Sequence, residues 1–491
     1  MNARSTIAVA LVALAVHLPT CIHAAEQPGA GIRVRVDPRV ELMATIFRLA
    51  GNPEYGEKVA AQYVRDVETH FGPLIHHPAV RMAARLRETR GIAFDAPMSL
   101  ALHVTDPGEL RELVPFDLGH SGLDPRWRKD EAREFLALAR DFAKISGFME
   151  FFAGHREVYA ASVRRMESLL ESCHLRDWFP QMFGEHRQKD LAIVIGLQLG
   201  GNNYGIRVTG PDTREIAYAV KGVWQVGEDG LARFTQRDAE LLVHEFCHSF
   251  ANPVIDASLR ELQEPAEALY RHVEFEMSMQ SYGRPEVMLY ESLVRALAIR
   301  YLARYATPEH VADTLDLEMR QNGFLWMGEL TALLESYESR RATGADLDSF
   351  APRIVGFFRG YARDFVRKKA ALEGEERARW RHLEAHAPRI ISMIPANGDM
   401  NADPGLKQLT VTFDRPVRGI ALVQRGRSAN YPLARRGWKY DETGTILTVP
   451  MQLEPEMYYT FSLNAEKALL IQDRDGHPLI PVVVRFKTGK R

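Results

Sequence analysis

Cysteine is scarce in this chain, with three among 491 residues. Cys21 lies close to the N-terminus, so the body of the sequence contains only Cys173 and Cys247. Two cysteines are too few for a disulfide-stabilised scaffold. We therefore expect two ordinary buried thiols, in a chain long enough to build two or three domains around hydrophobic cores.

Net charge is also nearly absent, because 62 Lys and Arg residues oppose 64 Asp and Glu residues. A binding partner such as nucleic acid is usually matched by a clear surplus of basic residues. The balance here gives no electrostatic reason to expect a polyanion, and we predict no nucleic-acid partner.

Long apolar runs are missing as well. The run at 7–16 is about half of the ~20 residues that a membrane span needs, so the mature chain is expected to have no transmembrane segment. Arg4 precedes this run and a small-residue cleavage pattern ends at Ala24, which predicts a signal peptide over residues 1–24. Export to the periplasm or the exterior would follow. Cys21 lies in a poor lipoprotein box, so a lipid anchor is the weaker alternative.

Hydrophobic periodicity is helical over most of the chain between 40 and 383, with long amphipathic stretches at 54–71, 77–89 and 129–172. Around 190–226 the period changes to that of β-strands. Strands are predicted at 191–197, 206–208 and 216–224. This pattern indicates a mainly helical domain with a small sheet.

The composition shifts again after Pro388, where short β-type runs alternate with turn sequences. These runs lie at 409–413, 446–449, 458–463 and 482–486. Several short strands in about 100 residues are typical of a β-sandwich. The stretches Ile394-Pro395-Ala396-Asn397-Gly398 and Val484-Arg485-Phe486-Lys487-Thr488 resemble bacterial Ig-like domains, so we expect such a domain over residues 388–491.

The most informative stretch is His244-Glu245-Phe246-Cys247-His248. On a helix, residues four apart lie on one face about one turn from each other. Two imidazoles in that position can bind one Zn²⁺, and Glu245 can take a proton from a water that the metal activates. The spacing therefore predicts a zinc site with Glu245 as the catalytic base.

The flanking residues predict the bounds of this helix. Thr235-Gln236-Arg237-Asp238 resembles a capping box at its start, and Asp238 is interpreted as that cap. Asn252-Pro253 is expected to end it, because proline disrupts a helix interior.

A third metal ligand is required, and Glu291 is the candidate. It falls on the apolar stripe of a helix that opens at Gly283-Arg284-Pro285, and a buried carboxylate is costly unless it is paired or binds a metal. Arg295, one turn later, is expected to pair with it or orient it. Glu276 adjoins the buried face of the preceding helix and remains a rival.

The chain resembles the gluzincins, metallopeptidases that use two His of this motif and a Glu on a later helix. The residues that carry the resemblance to one bacterial gluzincin-like family of unknown function are Val40-Glu41-Leu42, Leu49-Ala50-Gly51-Asn52-Pro53-Glu54-Tyr55, His244-Glu245-Phe246-Cys247-His248-Ser249-Phe250 and Glu291-Ser292-Leu293-Val294-Arg295-Ala296. The resemblance covers roughly 38–305 and implies zinc ligands at His244, His248 and Glu291. Since Glu291 follows His248 by 43 positions, more than in the thermolysin pattern, an inserted helix is expected at 265–281.

Candidates for other roles lie in and near Asn202-Asn203-Tyr204-Gly205. This stretch is interpreted as a plain hairpin turn. The alternative is a turn at the substrate edge, with Asn203 and Tyr204 near the substrate and Tyr204 stabilising the oxyanion. Tyr282 and Tyr290 are further oxyanion candidates.

Together these features predict an α+β protein: a mostly helical, zincin-like metallopeptidase domain over residues 33–385, then an Ig-like sandwich. The expected function is hydrolysis of a peptide or protein substrate by zinc-activated water. The alternative is an envelope or surface protein for binding or adhesion, whose peptidase-like domain is catalytically inactive.

Overall fold

The described residues of the computed structural model are 32–118, 122–184, 190–210, 215–341, 344, 346–425, 430–434, 436–466 and 468–490. Residues 1–24, where the signal peptide is predicted, and Cys21 lie outside them. The chain from Ile32 onward forms one compact unit. Its described residues form two separate hydrophobic cores, one between Ile32 and Phe365 and one between Ala402 and Phe486. None of its described helices combines the length and apolar character that crossing a membrane requires.

The first core is built mainly from helices. The helices before the sheet are α1 (Pro38–Leu49), α2 (Ala61–Phe71), α3 (Pro78–Arg90), α4 (Asp95–Leu102), α5 (Lys129–Ile145), α6 (Phe148–Gly154), α7 (Arg156–Ser172) and α8 (Leu175–Phe183). The predicted continuous stretch at 129–172 is therefore three helices. Gly147 separates the first two at a φ of 61°, a left-handed conformation that glycine adopts without steric cost.

A four-stranded sheet packs against these helices. Its strands are β1 (Arg33–Arg35), β2 (Asp190–Gly196), β3 (Asn203–Thr209) and β4 (Glu215–Gly222), in the order β1-β2-β4-β3. The strands β1, β2 and β4 are parallel, whereas β3 is antiparallel to β4 and lies at the edge. The three predicted strands are present, and β1 was not predicted.

The interpretation of Asn202-Asn203-Tyr204-Gly205 as a hairpin turn was wrong. Asn203, Tyr204 and Gly205 are the first residues of β3, and β3 pairs with β4 rather than with β2. The reason is that β2 pairs with β4 in parallel, which separates β2 from β3 in the sheet. The glycines at 200–201 do lie in a turn, as predicted. However, β3 starts at Asn203, three residues before the predicted start at 206.

After the sheet, α9 runs from Gln236 to Met279. The predicted end at Asn252-Pro253 was wrong, and the expected separate helix at 265–281 is the second half of α9. A proline inside a helix costs about 3 kcal/mol or more. Val254 and Ile255 are both buried directly after Pro253, and burying two such side chains contributes about 3–6 kcal/mol. Tertiary packing therefore offsets the local cost.

The helix α9 is sharply bent. In a straight helix His248 and Gln280 would lie about 48 Å apart. However, Gln280 Oε1 is 3.2 Å from Nη2 of Arg295, and Arg295 Nε is 3.3 Å from Glu291. Glu291 is itself 3.5 Å from His248. Prolines 253 and 265 lie within the intervening segment, and proline is a usual cause of sharp kinks.

The start of α9 is fixed to the sheet by a buried ion pair. Asp238 Oδ2 accepts the backbone N–H of Thr235 at 2.7 Å, which confirms the predicted capping box. Its Oδ1 lies 2.8 Å from Nζ of Lys221 on β4, and both side chains are almost fully buried. The pair thereby sets where the following turns of α9 lie relative to β4 and β3.

Four further helices complete the first core: α10 (Pro285–Tyr305), α11 (Pro308–Asp316), α12 (Met327–Arg341) and α13 (Leu347–Glu384). Earlier residues of α9 contact later residues of the segment at 285–316, and later residues of α9 contact earlier ones. Asp256 bonds Tyr290, and Glu240 bonds His310 at 2.9 Å. Thus α10 runs antiparallel to the first half of α9.

The second core is enclosed by strands. These are β5 (Ile390–Ile394), β6 (Gln408–Phe413), β7 (Val417–Arg418), β8 (Leu422–Gln424), β9 (Lys439–Tyr440), β10 (Ile446–Pro450), β11 (Tyr458–Leu463), β12 (Gln472–Asp473) and β13 (Val482–Lys487). The described sheets have the orders β5-β6-β10-β9, β13-β11-β8 and β12-β7. All four predicted runs in this region are strands, so the coarse α+β organisation is confirmed.

The two cores meet at the end of α9. The ring of Phe275 lies 5.2 Å from that of Tyr458 on β11, and Glu276 forms an ion pair with Arg485 on β13. Glu276, the rival to Glu291 as a metal ligand, is thus bound to the C-terminal region.

Candidate metal centre

Two turns of α9 and one turn of α10 bring three potential metal ligands together. The imidazole Nε2 atoms of His244 and His248 lie 3.6 and 3.5 Å from the two carboxylate oxygens of Glu291. One potential ligand atom from each residue lies within 4.8 Å of the others. Ligand atoms around one tetrahedral zinc are about 3.3 Å apart. The three side chains can therefore bind a single ion with small adjustments.

The two imidazoles differ in their surroundings. His248 Nδ1 lies 3.2 Å from Oδ1 of Asn252, the residue one turn later on the same face of α9. If Nδ1–H donates to that oxygen, the lone pair of Nε2 faces Glu291, which is the tautomer that a metal ligand needs. Burial lowers the pKa of His244 to about 3, although Glu291 acts in the opposite direction. His244 is therefore neutral near pH 7.

Glu291 is buried and held by two donors. The hydroxyl of Tyr282 donates to its Oε2 at 2.9 Å, and Arg295 Nε donates to the same oxygen at 3.3 Å. Burial raises the pKa of Glu291, but its interactions with His244, Arg295 and His248 and the hydrogen bond from Tyr282 outweigh this effect, and the net shift is downward. Glu291 is thus an anion at neutral pH.

Arg295 is itself fixed from the other side. Its Nη1 lies 2.7 Å from both carboxylate oxygens of Glu318, and its Nη2 donates to the Tyr282 hydroxyl at 3.0 Å. The guanidinium also lies over the ring of Phe324, 4.9 Å from its centroid. The expected pairing of Arg295 with Glu291 is therefore present, and Glu318 extends it to a network.

Glu245 faces the edge strand of the sheet. A Cβ atom built on Gly205 of β3 would lie only 2.9 Å from Glu245 Oε2, so the carboxylate packs directly on the backbone of β3. Burial raises the pKa of Glu245 to about 7, and the negative charge of Glu291 adds to this shift. A carboxylate with a pKa near neutrality can both accept and donate a proton.

Comparison with known protein families gives a match over more than half of the chain. The family described as Domain of unknown function (DUF4932) matches residues 32–357. The chain belongs to this family. The match includes all the residues of the candidate metal centre and ends before the C-terminal strands, so the family's segment corresponds to the first hydrophobic core.

Other comparisons carry no functional argument. No curated protein was found to match the chain. Among solved structures, surface layer protein SbsC, domains 1-6, is similar at 18% identity, covering 55% of this chain and 35% of that one, with a TM-score of 0.16. The S-layer protein rSbsC(31-844) is similar at 12% identity, covering 84% of this chain and 46% of that one, also at a TM-score of 0.16. The chain thus spans less than half the length of either, and at this TM-score the likeness says nothing about its fold.

The structure does not bring Tyr204 or Asn203 to the metal residues. Successive residues of a strand point to opposite faces, so Tyr204 lies on the face opposite to the side of Gly205 that meets Glu245. Burial raises the pKa of its phenol, and the next contribution comes from Glu54, a residue outside the metal centre. Asn203 bonds the turn instead, with Nδ2 donating to the Gly201 carbonyl at 3.0 Å.

Of the two other tyrosines, only Tyr282 contacts a metal residue. Tyr290 donates to Asp256 instead. Asn252 and Glu318 were missed by the sequence analysis. The position of Asn252, four residues after His248, was a usable signal because it shares the same helix face. Glu318 follows in a separate turn and offers no such signal.

A second acidic group, Asp473, Asp475 and His477, also has metal-ligand composition. However, Asp473 Oδ1 already accepts the backbone N–H groups of residues 475 and 477 at 3.0 and 2.9 Å. These bonds stabilise the turn that the sequence predicts there. We therefore assign this group a structural role.

Proposed function

We propose that the chain is a zinc-dependent peptidase of the zincin type, with His244, His248 and Glu291 as ligands and Glu245 as the general base. The observation that carries the proposal is the triangle of ligand atoms beside a carboxylate that packs on an edge strand. Two neutral imidazoles and one carboxylate form a donor set that zinc hydrolases use. When bound, zinc would polarise the scissile carbonyl and lower the pKa of a water molecule to about 7.

The chain's own residues supply the remaining chemistry. Glu245 accepts a proton from the attacking water and later returns it to the leaving amine, a role that suits its raised pKa. Tyr282 and Arg295 hold Glu291 ionised and fix its orientation. Loss of either donor would change the position of Glu291 rather than remove a reacting group.

The edge strand β3 is suited to hold an extended peptide. Among the described strands it pairs on one side only, with β4, and a peptide can add to such an edge by backbone hydrogen bonds. Gly205 lies next to Glu245, so a peptide on this edge passes close to the general base. The lack of a side chain at Gly205 leaves room there for both the carboxylate and a peptide.

The C-terminal β region is proposed to be an Ig-like domain. The support is its separate hydrophobic core and its antiparallel sheets, together with the sequence resemblance noted above. Export as a periplasmic or secreted protein is likewise proposed from the pattern at residues 1–24.

Metal analysis and a mixed peptide library test the function. We expect about one zinc per chain, cleavage of peptides by the full chain, and loss of cleavage with retained metal in Glu245→Gln. Glu264→Gln is the matched control, since Glu264 is an exposed residue on the same helix. Metal binding without any hydrolysis would favour the alternative, a binding protein with an inactive peptidase-like domain. Full activity in Glu245→Gln would refute the mechanism.

A further inference from the structure

A cavity of about 550 Å³ lies between the metal-bearing helices and the C-terminal β region. Tyr282 and Arg295 form part of its wall on the helical side, and both bond Glu291. Arg425 and Arg485 form part of its wall on the β side. The cavity wall therefore includes residues that contact the candidate metal ligand Glu291 directly. Residues of the C-terminal β region form the rest of the wall described here.

The wall of this cavity is basic. Two of its arginines are neutralised, because Arg295 pairs with Glu318 and Arg485 pairs with Glu276. Arg237 contacts the ring of Trp224, and Arg425 donates to the hydroxyl of Ser462. Neither of these last two arginines forms an ion pair with another residue in the part of the chain that the structure describes.

Arg425 is the more costly of the two to leave without an anion. It is only partly exposed. Burial and the nearby Arg485 lower the pKa of its guanidinium, while the carboxylates of Asp316 and Glu376 act in the opposite direction. Both of these carboxylates hydrogen-bond Arg320 instead of Arg425. A guanidinium binds a carboxylate through two parallel hydrogen bonds, and such charge-assisted bonds are the strong ones. A carboxylate in the cavity would satisfy donors that no described carboxylate satisfies.

The position of Arg237 on α9 gives the distance between the cavity and the candidate metal centre. Arg237 precedes His244 by seven residues, or two helical turns, so both lie on the same face of α9 about 10 Å apart. An extended peptide advances about 3.3 Å per residue. A substrate that is cleaved at the metal centre would therefore reach the cavity with a group about three residues from the scissile bond.

We propose that this cavity binds a carboxylate of the substrate, about three residues from the bond that is cleaved, with Arg425 and Arg237 as the recognition residues. The inference rests on the proposed peptidase function. The carboxylate has two sources, an Asp or Glu side chain or the free C-terminus of a short peptide. In either case the C-terminal β region determines specificity rather than acting only as a spacer.

The experiment uses the full chain and a peptide that the library shows to be cleaved. Asp and Asn are exchanged at the second, third and fourth residues on each side of the scissile bond, and the C-terminus is a free acid or an amide. We measure kcat/KM for the wild type, Arg425→Gln, Arg237→Gln and the control Arg474→Gln. Arg474 is an exposed arginine of the same β region outside the cavity. Affinities for the same peptides are measured in the Glu245→Gln background, where they are not cleaved.

We expect a preference of roughly ten- to a hundred-fold for one carboxylate over its neutral counterpart, the range typical of hydrogen bonds to charged groups. The preference should appear in both rate and affinity, fall below about three-fold in Arg425→Gln or Arg237→Gln, and persist in Arg474→Gln. A preference for Asp identifies a side-chain site, and a preference for the free acid identifies a C-terminal site. Equal rates for charged and neutral peptides, or a preference that survives both cavity variants, would overturn the inference while leaving the peptidase intact. Failure to cleave any peptide is a failure of the proposed function instead.

Discussion

Replacing Gly205 by alanine places a methyl group against the carboxylate of Glu245. The added Cβ would lie 2.9 Å from Oε2, whereas ordinary contacts begin at 3.4 Å, so the carboxylate must retreat by about half an ångström. The end of a flexible side chain can make this adjustment without disturbing the backbone. The backbone of Gly205 also tolerates alanine, because its φ is not in the left-handed region.

The expected consequence is a selective loss of catalysis. Misplacing a catalytic group by 1 Å can cost about a hundred-fold in rate, so a shift of half that size is expected to lower kcat about ten-fold. Metal content and the free energy of unfolding should stay close to those of the wild type, since His244, His248 and Glu291 do not contact the new methyl group. The assays are steady-state kinetics on a library-derived peptide, metal analysis and urea unfolding.

A matched control is Gly108→Ala, where an added Cβ meets nothing within 4 Å. It should leave kcat unchanged. If Gly205→Ala also keeps the wild-type kcat, Glu245 does not act from its position beside β3. If the variant loses its metal, the methyl group disturbs more than the base and the assignment of separate roles is wrong.

Three further predictions concern the ligand set, a buried ion pair and acid stability. Glu291→Ala should weaken zinc binding by more than the roughly 100-fold that loss of a supporting hydrogen bond costs. The control Glu274→Ala, on the exposed side of α9, should leave zinc affinity unchanged. Equal zinc affinities of the two variants in metal titrations would contradict this prediction. Lys221→Met leaves the buried carboxylate of Asp238 without its counter-ion and should lower the free energy of unfolding by about 3–5 kcal/mol in urea; a loss under about 1 kcal/mol would show that the pair is not needed. Burial raises the pKa of Asp37, but Arg39 overrides it and holds the pKa well below 3.8. Asp37 therefore contributes stability above about pH 4 that is lost on acidification. Asp37→Asn should lose less stability than the wild type between pH 5 and pH 2, and parallel pH profiles would refute this.

Most of the candidate metal centre could be predicted from the sequence because its signals are local. His244, Glu245 and His248 lie within one helical turn, and the capping box at Thr235 marks where that helix starts. Glu291 was predictable only as one of several acidic residues. Its selection over Glu276 depended on which helix face is buried. In the structure Glu291 lies beside His244 and His248, whereas Glu276 pairs with Arg485.

The features that could not be predicted depend on contacts between distant residues. Pro253 is a strong local signal for a helix end, yet the helix continues because the following residues are buried against the rest of the core. The three residues of β1 are too few to show a period, and their strand exists because β2 pairs with them in parallel. Likewise, Lys221 is an ordinary strand residue until the ion pair with Asp238 is known.

Because the chain runs through all the rest of α9 between His248 and Glu291, the affinity for a metal at this site would also report how completely α10 docks on α9. His244 and His248 are brought together as soon as the first turns of α9 form, whereas Glu291 joins them only when α10 docks antiparallel on α9. An ion that requires all three ligands binds only the docked state, and its apparent dissociation constant is its intrinsic value divided by the docked fraction. If zinc binds here as proposed, each substitution along the α9–α10 contact, even one far from the ligands, would change the apparent zinc affinity by the amount that it shifts this docking equilibrium.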